Sequence, residues 1–351
     1  MELYQEKLIN ALKMYQNDFD NMVSSFYENK DNFESLIKKY ACDTEDDVDK
    51  NYLLRARLSF SILYYKNLKG LKKEAVKNII IYLFEEEIKD RKTSKYKGIG
   101  IALEVLTFLL NQYNKDNKEL FEKAKNANSD CSIGYDDNVR FEMNIENLNI
   151  YYAIEYSLEL GFKDLYYELI DIWKSSIKQW DRINLERLRD FEIKVGNKEG
   201  ELEANKQLYC ITKESYEKSK QNPVLMKKNL FYFISYLSNY IENLTILRNY
   251  AEALDIIISN ADDIRKANNN AFYNINAGIS IIDSSLKIIL NMGDNEHNEK
   301  INILWEFAKI AFINEHLPYS KYINDNCIKC AEKMNDAEIK DKVLKDISNN
   351  K

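Results

Sequence analysis

Cys327-Ile-Lys-Cys330 is the sharpest chemical motif in the chain. On a helix, positions i and i+3 share a face, so two thiolates there could grip one zinc ion. A closed site needs two more ligands. His316 is near in sequence but lies across Pro318, and there is no second cysteine pair. A thioredoxin-type role would need a preceding strand, which the pattern does not offer. Two small apolar side chains on one buried helical face is the plainer reading. His297 and His316 form no HxxxH or ExxH spacing, so the zincin and di-iron bundle patterns are missing. Glu142/Glu146 and Glu155/Glu159 are i, i+4 acidic pairs expected on one helix, and they read as solvated faces. No serine sits in a Gly-x-Ser-x-Gly elbow. Gly98-Ile-Gly100 lacks the third glycine and the Gly-Lys-Ser/Thr of phosphate loops, so it reads as a turn starting a helix. No catalytic residue, metal or cofactor is therefore expected, and the chain leans towards a non-catalytic role.

Binding chemistry is better represented. In a helix expected over 224–246, Met226, Leu230, Phe233, Leu237, Ile241 and Leu244 form a core stripe. A second stripe, Asn229, Tyr232, Tyr236, Tyr240 and Asn243, lies about 95° round the helix at 100° per residue. A helix expected over 270–291 repeats the idea with Asn270, Asn274 and Gly278. Asn side chains can pair with both N–H and C=O of an extended peptide, and Tyr supplies flat contact area. Asn229, Tyr232, Tyr236, Tyr240, Asn243, Asn270 and Asn274 are thus the candidate partner-binding residues. The competing account is helix packing with tyrosine hydroxyls at the rim.

The elements follow from what is scarce. Only 2 prolines and 9 glycines interrupt 351 residues, and both types break helices. The chain is 45% hydrophobic and 30% charged, enough for a large core. Apolar spacing predicts helices over 2–28, 31–40, 46–67, a segment ending near Asp90, 100–114 and 117–127. The acidic run Asp43-Thr-Glu-Asp-Asp47 is expected to cap the third of these. Turn residues from Asn128 to Asp136 suggest a boundary. Longer helices are predicted beyond it, over 137–160, 163–179, 181–195, 199–219, 224–246, 249–267, 270–291, 295–314, 318–333 and 336–347. The expected organisation is an N-terminal helical domain, 1–128, and a repeat domain, 137–351.

Gly161-Phe-Lys-Asp-Leu-Tyr-Tyr-Glu-Leu169 and Gly196-Asn-Lys-Glu-Gly-Glu-Leu-Glu-Ala204 stand 35 residues apart. Arg248-Asn-Tyr-Ala-Glu-Ala-Leu254 has the same shape, a turn followed by aromatic and small residues. Tyr250 and Ala253, with Ala261 eight further on, resemble the start of the second helix in tetratricopeptide repeats. That resemblance spans about 137–335 and implies an all-α fold, an α-solenoid of antiparallel helix pairs. The Trp-Leu-Gly signature of the first helix is missing and the spacing is uneven, so a general α-solenoid describes the pattern better than a strict array. The chain also resembles the repeat portion of bacterial peptide-sensing receptors, without a recognisable N-terminal helix-turn-helix.

Net charge is −7, which repels a phosphate backbone and argues against nucleic acid. The basic stretch Lys89, Arg91, Lys92, Lys95 and Lys97 suits a helix C-terminus. Five scattered cysteines do not make a disulfide framework, and neither a secretory leader nor a membrane span is legible, so a cytoplasmic location is expected. The function expected is recognition of a peptide or protein in a concave groove, with the oligomeric state open to a homodimer. The alternatives are an enzyme or regulator with an inter-helical active site, and a subunit of a defence or toxin-neutralising system.

Overall fold

The computed structural model describes residues 1–113, 117–268, 276–293, 298–313 and 320–349. Helices hold 79% of them, in seventeen α-helices and two 3-10 turns among the described residues. The all-α class follows from a chain with few breakers and a 3.6-residue apolar period. Two compact units divide it, Met1–Ile177 and Lys178–Lys351.

The first unit opens with α1 (Leu3–Glu28) and α2 (Lys30–Lys38). A two-stranded hairpin follows, β1 (Thr44–Glu45) and β2 (Val48–Asp49). Then come α3 (Tyr52–Leu63), α4 (Lys73–Arg91), α5 (Ile101–Tyr113), α6 (Lys118–Lys125), α7 (Ser129–Gly134), α8 (Ile150–Glu159) and α9 (Lys163–Ser176). Leu8, Leu12, Tyr15, Phe19 and Met22 recur every three or four residues along α1, and all are buried. They face a core that α3 and α4 share.

Two expectations are corrected in this unit. The acidic run 43–47 does not cap a helix. Asp46 and Asp47 take φ of 50° and 63°, a hairpin turn that Asp tolerates, so α3 starts at Tyr52. Residues 137–149 are not α-helical and hold only a 3-10 turn, Ile145–Asn147. Local side chains there take the backbone N–H groups: Asn138 N donates to Asp136 Oδ1 at 2.8 Å, Asn144 N to Glu142 Oε1 at 2.7 Å and Glu146 N to Asn144 Oδ1 at 3.1 Å. That competition delays the helix until the Asn149 cap. The turn segment Asn128–Asp136 lies within the first compact unit, in which Tyr4 Oη donates to Leu148 O at 2.9 Å and Gln5 Nε2 to Leu148 O at 3.0 Å.

The second unit holds α10 (Arg182–Lys194), α11 (Lys198–Ser219), α12 (Pro223–Ile246), α13 (Tyr250–Asn268), α14 (Asn276–Asn291), α15 (Asn298–Ile313), α16 (Lys321–Lys333) and α17 (Ala337–Asn349). Helices α12, α14 and α16 pack side by side in one row, and α13, α15 and α17 in another. Ser238 Oγ donates to Ala277 O at 3.1 Å across the first row, and Cys330 Sγ to Leu286 O at 3.4 Å further along it.

One connection recurs. The pairs α8–α9, α10–α11, α12–α13 and α16–α17 are each joined by three residues, the middle one left-handed: Gly161 (φ 68°), Gly196 (φ 72°), Arg248 (φ 61°) and Asn335 (φ 55°). The N–H after each reaches back five residues: Phe162 to Ser157 O, Asn197 to Glu192 O, Asn249 to Leu244 O and Asp336 to Ala331 O, at 2.8–2.9 Å. This is a Schellman end, and it folds each pair into a tight helical hairpin.

Candidate functional site

Two places concentrate polar chemistry. The first is a buried ion cluster in the first unit. Arg55 of α3 is fully buried; its Nε donates to Glu87 Oε1 at 2.5 Å, and its NH2 group is bonded to Asp49. Asp90 is bonded to Arg91, and its Oδ1 accepts from Lys97 Nζ at 2.5 Å. Burial alone would raise the Asp49 carboxyl, but Arg55 and the N–H groups of Asp43 and Asn51 overcome it and hold it below its ordinary value. Burial pushes Glu87 the other way, upward, against the pull of Arg55 and Arg91.

One ligand atom each from Cys42, Asp49 and Asp90 lies within 4.8 Å of the other two, a spacing that could suit a metal. The donor set does not fit one. Both oxygens of each carboxylate are already taken by Arg55, Arg91, Lys97 or backbone N–H, and burial pushes the Cys42 thiol up. The guanidinium and ammonium groups supply the positive charge a cation would bring. The cluster instead fastens the hairpin and the 92–100 loop, since Lys97 Nζ also donates to Asp47 O at 2.8 Å and Arg91 to Lys97 O at 3.1 Å. The basic stretch of the sequence is thereby largely absorbed: Arg91 and Lys97 point into the cluster, and Lys89 pairs with Glu86 at 2.5 Å. The Cys327–Cys330 pair is likewise buried. Burial pushes Cys330 up to about 12 and Cys327 further, so both stay protonated thiols, and Cys330 Sγ bonds Leu286 O at 3.4 Å.

The second place is a groove of about 270 Å³ lined by Arg182, Ile211, Thr212, Ser215, Lys228, Asn229 and Tyr232, from α10, α11 and α12. Local sequence positions each wall. Asp181 caps α10 by accepting from Asn184 N at 2.9 Å, which places Arg182 in the first turn. Asn222 accepts from Val224 N and Leu225 N at 3.2 Å, and Pro223 opens α12 where its missing N–H costs nothing. The Arg182 guanidinium lies over the Tyr232 ring, 4.7 Å from its centroid. Its NH1 donates to Glu186 Oε1 at 2.8 Å and to Tyr236 Oη at 3.4 Å, and Tyr236 Oη donates to Glu186 in turn.

The predicted stripe therefore divides. Asn229 and Tyr232 line the groove, with Asn229 Nδ2 donating to Ser215 O at 3.1 Å. Tyr236, Tyr240 and Asn243 are only 7%, 2% and 3% exposed. An open wall along the whole stripe is thus corrected to packing over its second half. Tyr240 Oη donates to Glu252 at 2.6 Å, and Asn243 Oδ1 accepts from Asn205. The stripe continues onto α11, where Tyr209 stacks on Tyr240 at 5.6 Å. Asn270 and Asn274 lie outside the described residues, as do His297 and His316. Sequence reasoning missed Arg182 and Thr212, which come from other helices and carry no periodic signal. Lys228, beside Asn229, could have been found.

A larger cavity of about 320 Å³ borders Glu242, Ser280, Asp283 and Tyr322, but its walls adjoin segments outside the described residues. No helix of the described residues is long and apolar enough to cross a membrane. Comparison with known proteins finds no family model that matches the chain, and no significant match among curated proteins or solved structures.

Proposed function

We propose that this chain is a non-catalytic, cytoplasmic helical-repeat protein of tetratricopeptide-like type, and that it binds a peptide segment of a partner protein. The recurrent hairpin with its three-residue Schellman link supports the repeat reading, as does the two-row packing of α12–α17. The observation that carries the binding reading is the groove between α10, α11 and α12. It combines an aromatic face at Tyr232, an amide at Asn229 and the oriented guanidinium of Arg182. Such a mixture of flat apolar area and fixed donors is what peptide grooves use for orientation.

The test is selection from a random peptide library displayed on phage, followed by anisotropy titration of the selected peptides. Peptides that bind the parent and lose affinity to Tyr232→Ala, with the melting profile retained, support the reading. Selected peptides that bind both proteins equally would remove the groove from the account.

A further inference from the structure

The groove differs in charge from the molecule around it. The chain carries a net charge of −7, yet the groove lining holds two cations, Arg182 and Lys228, and no carboxylate. Arg182 is committed through NH1 alone; its Nε and NH2 donors make no hydrogen bond among the described residues. A guanidinium held on Tyr232 by Glu186 and Tyr236 is already oriented, so those donors form a ready fork for a carboxylate. Glu186 offsets part of the Arg182 charge, which leaves Lys228 as the charge an incoming ligand meets. Lys228 is exposed and makes no ion pair among the described residues.

The rim is apolar. Val224, Leu225 and Phe231, on the same stretch of α12, are 81%, 49% and 58% exposed, and Phe231 meets Tyr232 edge to face at 6.0 Å. Large apolar side chains gathered beside a polar groove mark contact surface. Ile211 extends that apolar surface into the groove itself.

Resting on the peptide-binding reading, we propose that the occupant is an acidic segment of a partner protein, with an aromatic or aliphatic side chain beside its carboxylates. The carboxylates face Arg182 and Lys228, and the apolar side chain covers Tyr232 and Phe231. Nucleic acid fits less well. Its affinity rests on neutralising many phosphates, and this groove offers two cations, one of them already shared with Glu186.

Four fluorescein-labelled probes test this on the full chain by anisotropy: Gly-Asp-Glu-Phe-Asp-Glu-Leu-Gly, the same peptide with Asn/Gln for Asp/Glu, the same with Lys, and an oligothymidylate. The acidic peptide is expected to bind, to weaken with salt, and to lose affinity about tenfold in Lys228→Glu, with Lys228→Met between the two. The neutral and basic peptides are expected to bind at least about tenfold more weakly. Equal binding of acidic and neutral peptides, unchanged by Lys228→Glu but lost in Tyr232→Ala, overturns the acidic chemistry and keeps the groove. Binding of no peptide, or binding untouched by Lys228→Glu and Tyr232→Ala alike, overturns both. Tighter binding of the oligothymidylate also overturns the proposal. Lys228 is exposed, so its variants report on binding rather than folding.

Discussion

Asp49→Asn should loosen the clasp in the first unit by a calculable amount. The Asp49 side chain ends β2 and is 1% exposed. Its Oδ1 accepts from Asp43 N and Asn51 N, each at 3.0 Å, and its Oδ2 accepts from Arg55. An amide can keep the two backbone bonds through its oxygen. Its NH2 then faces the Arg55 guanidinium, donor against donor. One charge-assisted bond is lost, worth about 1.5–3 kcal/mol, and Arg55 keeps Glu87, the Tyr40 carbonyl and the more distant Asp90 carboxylate at 4.0 Å. Glu87→Gln is the internal comparison. Burial already disfavours the ionised Glu87, and Gln retains an acceptor for Arg55 Nε, so its cost should be the smaller of the two. The pH dependence has a definite sign. The Asp49 carboxyl is held below its ordinary value, so its contribution is fully present above about pH 4 and fades as pH falls through the folded-state value. The gap between parent and Asp49→Asn should therefore be full at neutral pH and close on acidification. Native-state hydrogen exchange of α3 and α4 amides, with thermal melts alongside, measures it locally. A gap under about 0.5 kcal/mol at neutral pH, or one that widens as pH falls, would refute the reasoning.

Arg248→Gly should stabilise the α12–α13 hairpin by about 0.5–1 kcal/mol, because Arg248 pays a left-handed penalty that glycine escapes; a thermal melt checks it. Asn205→Leu alone should cost about 1–3 kcal/mol by stranding buried Asn243, and the Asn205→Leu/Asn243→Leu pair should recover most of it in a double-mutant cycle. Cys210, exposed on α11, should alkylate first among the cysteines at mildly alkaline pH. Cys327 and Cys330 should react only on unfolding, so mass-spectrometric labelling of those two at the Cys210 rate would contradict their burial.

Helices were legible wherever the sequence has only one way to satisfy its backbone. Along α11 and α12 the apolar period and the Asn197 and Asn222–Pro223 caps agree, and the structure follows to within a residue. Prediction failed where short polar side chains compete for the same N–H groups. From Asp136 to Asn149 the apolar residues Val139, Phe141, Met143 and Ile145 alternate instead of recurring every three or four, and Asp136, Glu142 and Asn144 bond locally and hold the chain out of an α-helix. The ion cluster was illegible for another reason. Arg55, Glu87 and Asp49 meet through tertiary packing, and spacing along the chain carries no trace of it. The breaks at 247–249 and 334–336 were legible from the apolar pattern, and Gly161, Gly196 and Asn335 suit a left-handed residue by type; only at Arg248 does the residue type give no sign of it.

The candidate site shows the limit of reading one helix at a time. Periodicity placed Asn229, Tyr232, Tyr236, Tyr240 and Asn243 on one face of α12, and that face is real. What periodicity lacks is how far the neighbouring helix runs along it. Tyr209 of α11 stacks on Tyr240, and Asn205 of α11 bonds Asn243, so the second half of the stripe is sealed. Near the start of α12 the neighbour presents Ser215, Thr212 and Ile211, small or narrow side chains that leave room beside Tyr232. Arg182, the first residue of α10, then borders that room. The same five residues thus serve two purposes, and the size of the side chains on α11 decides which. Enlarging Ser215 should therefore close the groove over Asn229 and Tyr232 without disturbing the packed half of the stripe. Ser215→Trp is expected to abolish peptide binding while exchange protection along 236–246 stays at the parent level, and retained binding would place the peptide elsewhere.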